Sequence, residues 1–147
     1  MTVLEFVNLF CAGILAGIEF VVRYGIRGSI AVLDERPQIQ LRQALIRRLR
    51  VVVPAVYVLT SLSAVAVTIV NGTGFRYAGL LAVLGWTLVT FVGTVPINKA
   101  TLTWQLGAPP PDWRALVRRW ERLDTARSWA ATLAFASFLT AAALARG

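Results

Sequence analysis

The chain has 147 residues, a formal net charge of +8, no histidine and one cysteine. That length fits one domain. The lone Cys11 excludes an internal disulfide and a cysteine metal cluster, and the lack of histidine excludes haem on a histidine ligand. Hydrophobic residues make up 57%, above the usual range for soluble domains, and the charge is segregated. Thirteen of the fifteen positive residues lie within 23–50 and 99–127. Blocks of arginine beside apolar runs are the pattern of membrane spans and their flanking loops, which argues against a nucleic-acid partner.

Four spans are expected, in an all-α transmembrane bundle with a short amphipathic cytoplasmic helix and a single domain over residues 1–147. The first, about 3–22, starts without a basic region or a cleavage site and reads as a retained span. Cys11 packs there as a small hydrophobe. Gly13 and Gly17 form a G-x-x-x-G that suits close approach of another helix, within the chain or in a homo-oligomer. Residues 23–50 carry seven arginines. Pro37 is expected to break any continuous helix, and the stretch beyond it reads as a helix on the membrane surface.

The second span covers about 51–70, with Pro54 in its first turn. Asn71-Gly72-Thr73-Gly74 is a turn whose glycines can take positive φ. The third span covers about 77–97 and ends at Pro96 and Asn98. Pro109, Pro110 and Pro111 stiffen the next connection, and Asp112 is placed to cap a helix beginning at Trp113. That helix has a basic entry and becomes the fourth span, about 125–145. With four spans, both basic segments fall on one side. They are therefore cytoplasmic, and both termini and the loop near Gly72 face outward.

Several polar residues stand where apolar ones are expected. Glu19 lies in the last turns of the first span, where an ionised side chain usually faces a partner or a cavity. The alternative is an ion pair with Arg23 one turn on. Asn98 follows Pro96 and either caps the third span or meets a ligand. Trp113, Trp120 and Arg127 recur every seven residues with Asp124 among them, so they share a helix face. That face either holds a site or an Asp124–Arg127 surface pair, while Arg118, Arg119 and Arg122 point elsewhere. Glu19, Asn98, Asp124 and Arg127 fall at one depth, within reach of Tyr24, Trp86, Trp104 and Trp120. Such a cluster suits a planar, acidic molecule and the movement of a proton.

Val95-Pro96-Ile97-Asn98, followed by Trp120-x3-Asp124-x2-Arg127, resembles the anthrone oxygenase family of membrane proteins. Ala12-Gly13-Ile14-Leu15-Ala16-Gly17-Ile18-Glu19 resembles that family's first helix. The resemblance implies oxygenation of a polyketide-type anthrone to an anthraquinone, with Glu19, Asn98, Trp120 and Arg127 at the matched positions. The chain departs at Asp124, where the family pattern is expected to carry histidine.

The function expected is a membrane oxygenase for a lipophilic aromatic substrate. Glu19, Asn98, Asp124 and Arg127 are the catalytic candidates, and Trp120, Trp104 and Tyr24 line the substrate. Two cofactor routes are open. One uses nothing beyond O2. The other places a hard metal on the oxygen donors Glu19, Asp124 and Asn98. The competing expectation is a non-catalytic membrane protein, a transport accessory or assembly subunit.

Overall fold

Thr2 starts the first helix. Its hydroxyl accepts the Glu5 N–H at 3.2 Å, and the Glu5 carboxylate accepts the Thr2 N–H at 2.9 Å. These reciprocal bonds satisfy two donors that a helix start leaves open. In the computed structural model, which describes residues 1–147, α1 (Val3–Val21) runs through a π-helical turn (Val22–Ile26) into α2 (Arg27–Ala31). The Arg27 N–H bonds the Val22 carbonyl, five residues back. The first rod thus continues beyond the end expected near residue 22.

α3 (Glu35–Val70) is one helix of 36 residues. The expected surface helix and second span are therefore a single element. Pro37 falls in its first turn, where a missing N–H costs little, so it breaks nothing. Pro54 lies in the helix interior, not in a first turn. At 1.5 Å per residue α3 is about 54 Å long, against a hydrocarbon thickness of about 30 Å. Roughly its arginine-rich first sixteen residues exceed what a bilayer needs.

The turn after α3 contains no positive-φ glycine. Gly72 is needed for a different reason. A Cβ there would stand 2.8 Å from the Tyr77 hydroxyl and 3.0 Å from the Thr68 carbonyl. The Thr73 hydroxyl then caps α4 (Gly74–Leu88). A second π-helical turn (Val89–Thr94) joins α4 to α5 (Val95–Leu102). Pro96 starts α5, and Asn98 lies inside it without capping anything. α6 (Trp113–Leu144) follows Asp112, whose side chain makes no capping bond.

The rods pack in a ring. α1 contacts α3 and α6, α4 contacts α6, and α3 contacts α4. Three helical stretches, Val3–Ala31, Glu35–Val70 and Gly74–Leu102, are long and apolar enough to cross a membrane. α6 has 32 residues, and its first half is polar. Buried contacts centre on small residues beside a few large ones: Ala12, Ala64 and Ala134 with Phe138, and Ala16 and Ala131 with Leu15 and Trp86. Small side chains let helix backbones approach closely. Only half of the Gly13–Gly17 pair is used this way. A Cβ on Gly13 would stand 3.3 Å from Phe135, whereas Gly17 is exposed with nothing within 4 Å.

The tightest approach is elsewhere, at Gly79. A Cβ there would come within 3.0 Å of three atoms of the buried Phe138 ring. We expect Gly79→Ala to destabilise the protein by about 1–3 kcal/mol, because overpacking outweighs alanine's better helix propensity. Gly17→Ala should instead be neutral or up to about 1 kcal/mol stabilising. Thermal unfolding of both variants in detergent checks this, and a Gly79→Ala melt at or above wild type would refute the packing.

Candidate functional site

Polar residues gather at the end of the ring where α3 and α6 carry their arginines. A cavity of about 410 Å³ lies there, walled by α1, α2, α3, α5 and α6. Both π-helical turns adjoin it. Glu19 lies in the last turn of α1, three residues before the first π turn, Thr90 and Thr94 belong to the second, and Asn98 follows it. π turns break the regular register of a helix and are frequent at functional sites.

Glu19 is only 2% exposed. Its Oε1 accepts a bond from Arg127 Nη2 at 2.6 Å and another from Trp86 Nε1 at 3.1 Å. Both bonds fall on one oxygen, so Oε2 carries no hydrogen bond. Arg127, also buried, donates through Nη1 to the Thr94 hydroxyl at 3.2 Å and lies 4.7 Å over the Trp86 ring. Its Nε has no partner. The Trp86 ring in turn stacks on Tyr57, with centroids 4.8 Å apart. Four helices therefore hold one buried ion pair in place.

Asp124 is 1% exposed, and its Oδ2 accepts from Arg27 Nη1 at 3.2 Å. Arg27 Nη1 also reaches the Thr125 hydroxyl at 2.9 Å. Neither acid therefore pairs locally along its own helix. Glu19 does not pair with Arg23, which lies over the Tyr24 and Trp129 rings. Asp124 does not pair with Arg127 as a surface couple. Each carboxylate is joined instead to a guanidinium more than ninety residues away in sequence.

Glu19, Asn98, Trp120, Asp124 and Arg127 all line the cavity. Tyr24 and Trp104 do not. Tyr24 is 61% exposed and packs on Phe20 on the outer surface. Trp104 is buried against Trp113, edge to face at 6.2 Å, in a cluster with Ile39. Gln43 donates to the Thr101 and Trp104 carbonyls, each at 2.9 Å, and this ties the cluster to α3. Trp104 thus braces the cavity wall from behind. Trp86 does not line the cavity either and reaches the site only through its bond to Glu19.

Three cavity arginines were not singled out as candidates in the sequence, Arg27, Arg42 and Arg50, and the first two are the ones that face the acids of α6. Arg42 was legible in principle. It lies three residues after Ile39 and four before Ile46, on the apolar side of α3, while Arg47 and Arg48 are exposed. Arg27 was not, because the π turn before it alters the helical phase. No three His, Cys, Asp or Glu side chains converge as a metal-binding group. A metal on Glu19, Asp124 and Asn98 would compete with the guanidinium groups that hold both carboxylates.

The fold and this cavity define a multi-pass helical membrane protein with a largely apolar pocket, carrying buried charged groups, at one end of its helix ring. Within that class, the chain belongs to the anthrone oxygenase family, whose model matches residues 43–137. The match includes Asn98, Trp120, Asp124 and Arg127, and Glu19 lies outside it. No curated protein and no solved structure matches the chain.

Proposed function

We propose that the protein is a membrane oxygenase that converts a lipophilic, polyketide-type aromatic carrying an acidic CH2 group into the ketone. The observation that carries this reading is the buried Glu19, held through Oε1 by Arg127 and Trp86 with Oε2 free of hydrogen bonds. A carboxylate fixed by one oxygen is oriented to take a proton with the other.

Glu19 takes a proton from the CH2 group, and the resulting carbanion is delocalised onto the neighbouring carbonyl oxygen as an enolate. Asn98 and Arg127 stabilise that oxygen by hydrogen bonding and charge. The electron-rich carbon passes one electron to O2, and the radical pair combines to a C–O bond. Protonation gives a hydroperoxide. Loss of water, taking the second hydrogen from carbon, leaves the ketone. One O2 is consumed, one oxygen atom enters the product and the other leaves as water. The residues of the chain supply the proton acceptor, the anion stabilisation and the apolar walls. The test is conversion of a 9-anthrone by membranes carrying wild type or Glu19→Gln, and turnover by the variant within a few fold of wild type would refute the reading.

The same reading places α6 across the membrane as a fourth span, with its apolar second half in the bilayer. The basic stretches of α3 and α6 then face the cytoplasm, and both termini lie outside. Single cysteines at Gly74 and Gln40, both exposed, should label from opposite sides of intact cells, in a background lacking Cys11. Labelling of both from outside would refute this topology.

A further inference from the structure

Arg42 and Trp120 are not used in the chemistry above, and both line the cavity. Arg42 is 8% exposed, yet its Nε and Nη2 make no hydrogen bond. Its single ion pair, Nη2 to Glu121 Oε1, is 3.7 Å long. Trp120 Nε1 is a second buried donor with no partner, one residue before Glu121 on α6. Buried donors are almost always satisfied, and leaving one bare is costly. The two bare arginine nitrogens are the pair on one side of the guanidinium, the side-on fork that fits the two oxygens of a carboxylate. The cavity is also unbalanced in charge. Arg27, Arg42, Arg50, Lys99 and Arg127 line it against two acids, Glu19 and Asp124.

From these observations we infer that the cavity takes a fused-ring aromatic bearing a carboxylate away from the reacting carbon, and that Arg42 and Trp120 bind that carboxylate. This rests on reading the cavity as the substrate site, and not on oxygenation taking place there. The carboxylate sits in the Arg42 fork and accepts the Trp120 N–H. The ring body lies along the apolar walls, including Ile18, Val22 and Ile97, with its acidic carbon toward Glu19. Arg42 and Trp120 thereby set which substrates enter and how they are oriented.

The test is binding without turnover. The protein is held in phosphatidylcholine nanodiscs, and empty nanodiscs correct for partition into lipid. Two fluorescent probes of equal ring size are compared, 9-anthracenecarboxylate and the neutral 9-anthracenemethanol. Wild type is expected to bind the acid at least tenfold more tightly, as a charge-assisted fork provides roughly ten- to a hundredfold. Arg42→Gln should remove that preference, weakening the acid at least tenfold more than the alcohol. Trp120→Phe, which keeps a ring and loses the N–H, should weaken the acid by a few fold.

If Arg42→Gln does not fold, Arg42→Lys keeps the charge without the fork and should reduce the preference several-fold. Equal binding of acid and alcohol by wild type overturns the inference, and so does a preference that survives both Arg42 variants. Dodecyl phosphate supplies a lipid-like anion as competitor. If it displaces the acid more effectively than unlabelled acid does, and depends on Arg42, the site serves lipid headgroups and the aromatic assignment fails. Acid binding through Arg42 by a protein that converts no anthrone would leave this inference standing and remove the oxygenase reading.

Discussion

Glu19→Gln is expected to lose about 10²–10⁴-fold in turnover of an anthrone, the range typical of removing a general base. Glutamine preserves the shape of the site. Its amide oxygen can still accept from Arg127 Nη2 and Trp86 Nε1, which both bind Oε1 in the native protein. What it lacks is a second oxygen able to take a proton. The loss should therefore appear in kcat, with substrate affinity little changed. Anthrones oxidise slowly by themselves, so rates are taken above empty membranes, with 18O2 used to trace the ketone oxygen.

Asp124→Asn should cost as much or less, since its carboxylate is engaged by Arg27. An unpaired Glu19 at the interface, or one joined to Arg23, would contribute only about 0–1 kcal/mol to folding and nothing to chemistry. Turnover of Glu19→Gln within a few fold of wild type would end the acid–base proposal and leave Glu19 as the structural partner of Arg127.

The helical class and the order of the rods were legible because apolar runs alternate with blocks of charge, a signal that needs no tertiary information. The internal continuity of the rods was not. Pro37 reads as a break, yet it lies in a first turn, where no N–H is required. The two π turns left no mark in the sequence, and they carry α1 into α2 and α4 into α5 past the expected ends. The candidate site was legible where a polar residue interrupts an apolar face. Glu19, Asn98, Asp124 and Arg127 all reach the cavity. Their partners were not legible, because neighbours along a helix offered simpler pairings. Arg23 was available to Glu19 and Arg127 to Asp124, whereas the fold joins Glu19 to Arg127 and Asp124 to Arg27. Tyr24 and Trp104 show the same limit for aromatics. Proximity in sequence placed them near the site, but Tyr24 points outward from the π turn, and Trp104, in the connection after α5, packs against Ile39 and Trp113.

The Glu19–Arg127 pair also makes a prediction for stability that departs from treating Glu19 as an isolated buried charge. For an isolated acid, neutralisation would stabilise the fold. In this site each member of the pair is the other's counter-charge, both are more than nine-tenths buried, and they meet at 2.6 Å. Arg127→Met should cost about 3–5 kcal/mol, because Glu19 would keep only the Trp86 N–H. Glu19→Leu should cost a similar amount, since the guanidinium would keep only the Thr94 hydroxyl and the Trp86 ring. The double variant removes both charges and fills the space with apolar atoms. Such replacements are often neutral or stabilising, so it should lie close to wild type, giving a coupling of several kcal/mol. Unfolding of the four proteins in one detergent, under conditions where it is reversible, measures this cycle. Costs that simply add would mean that water screens the pair, and the site would then lack the dry, fixed geometry that the proton transfer at Glu19 requires.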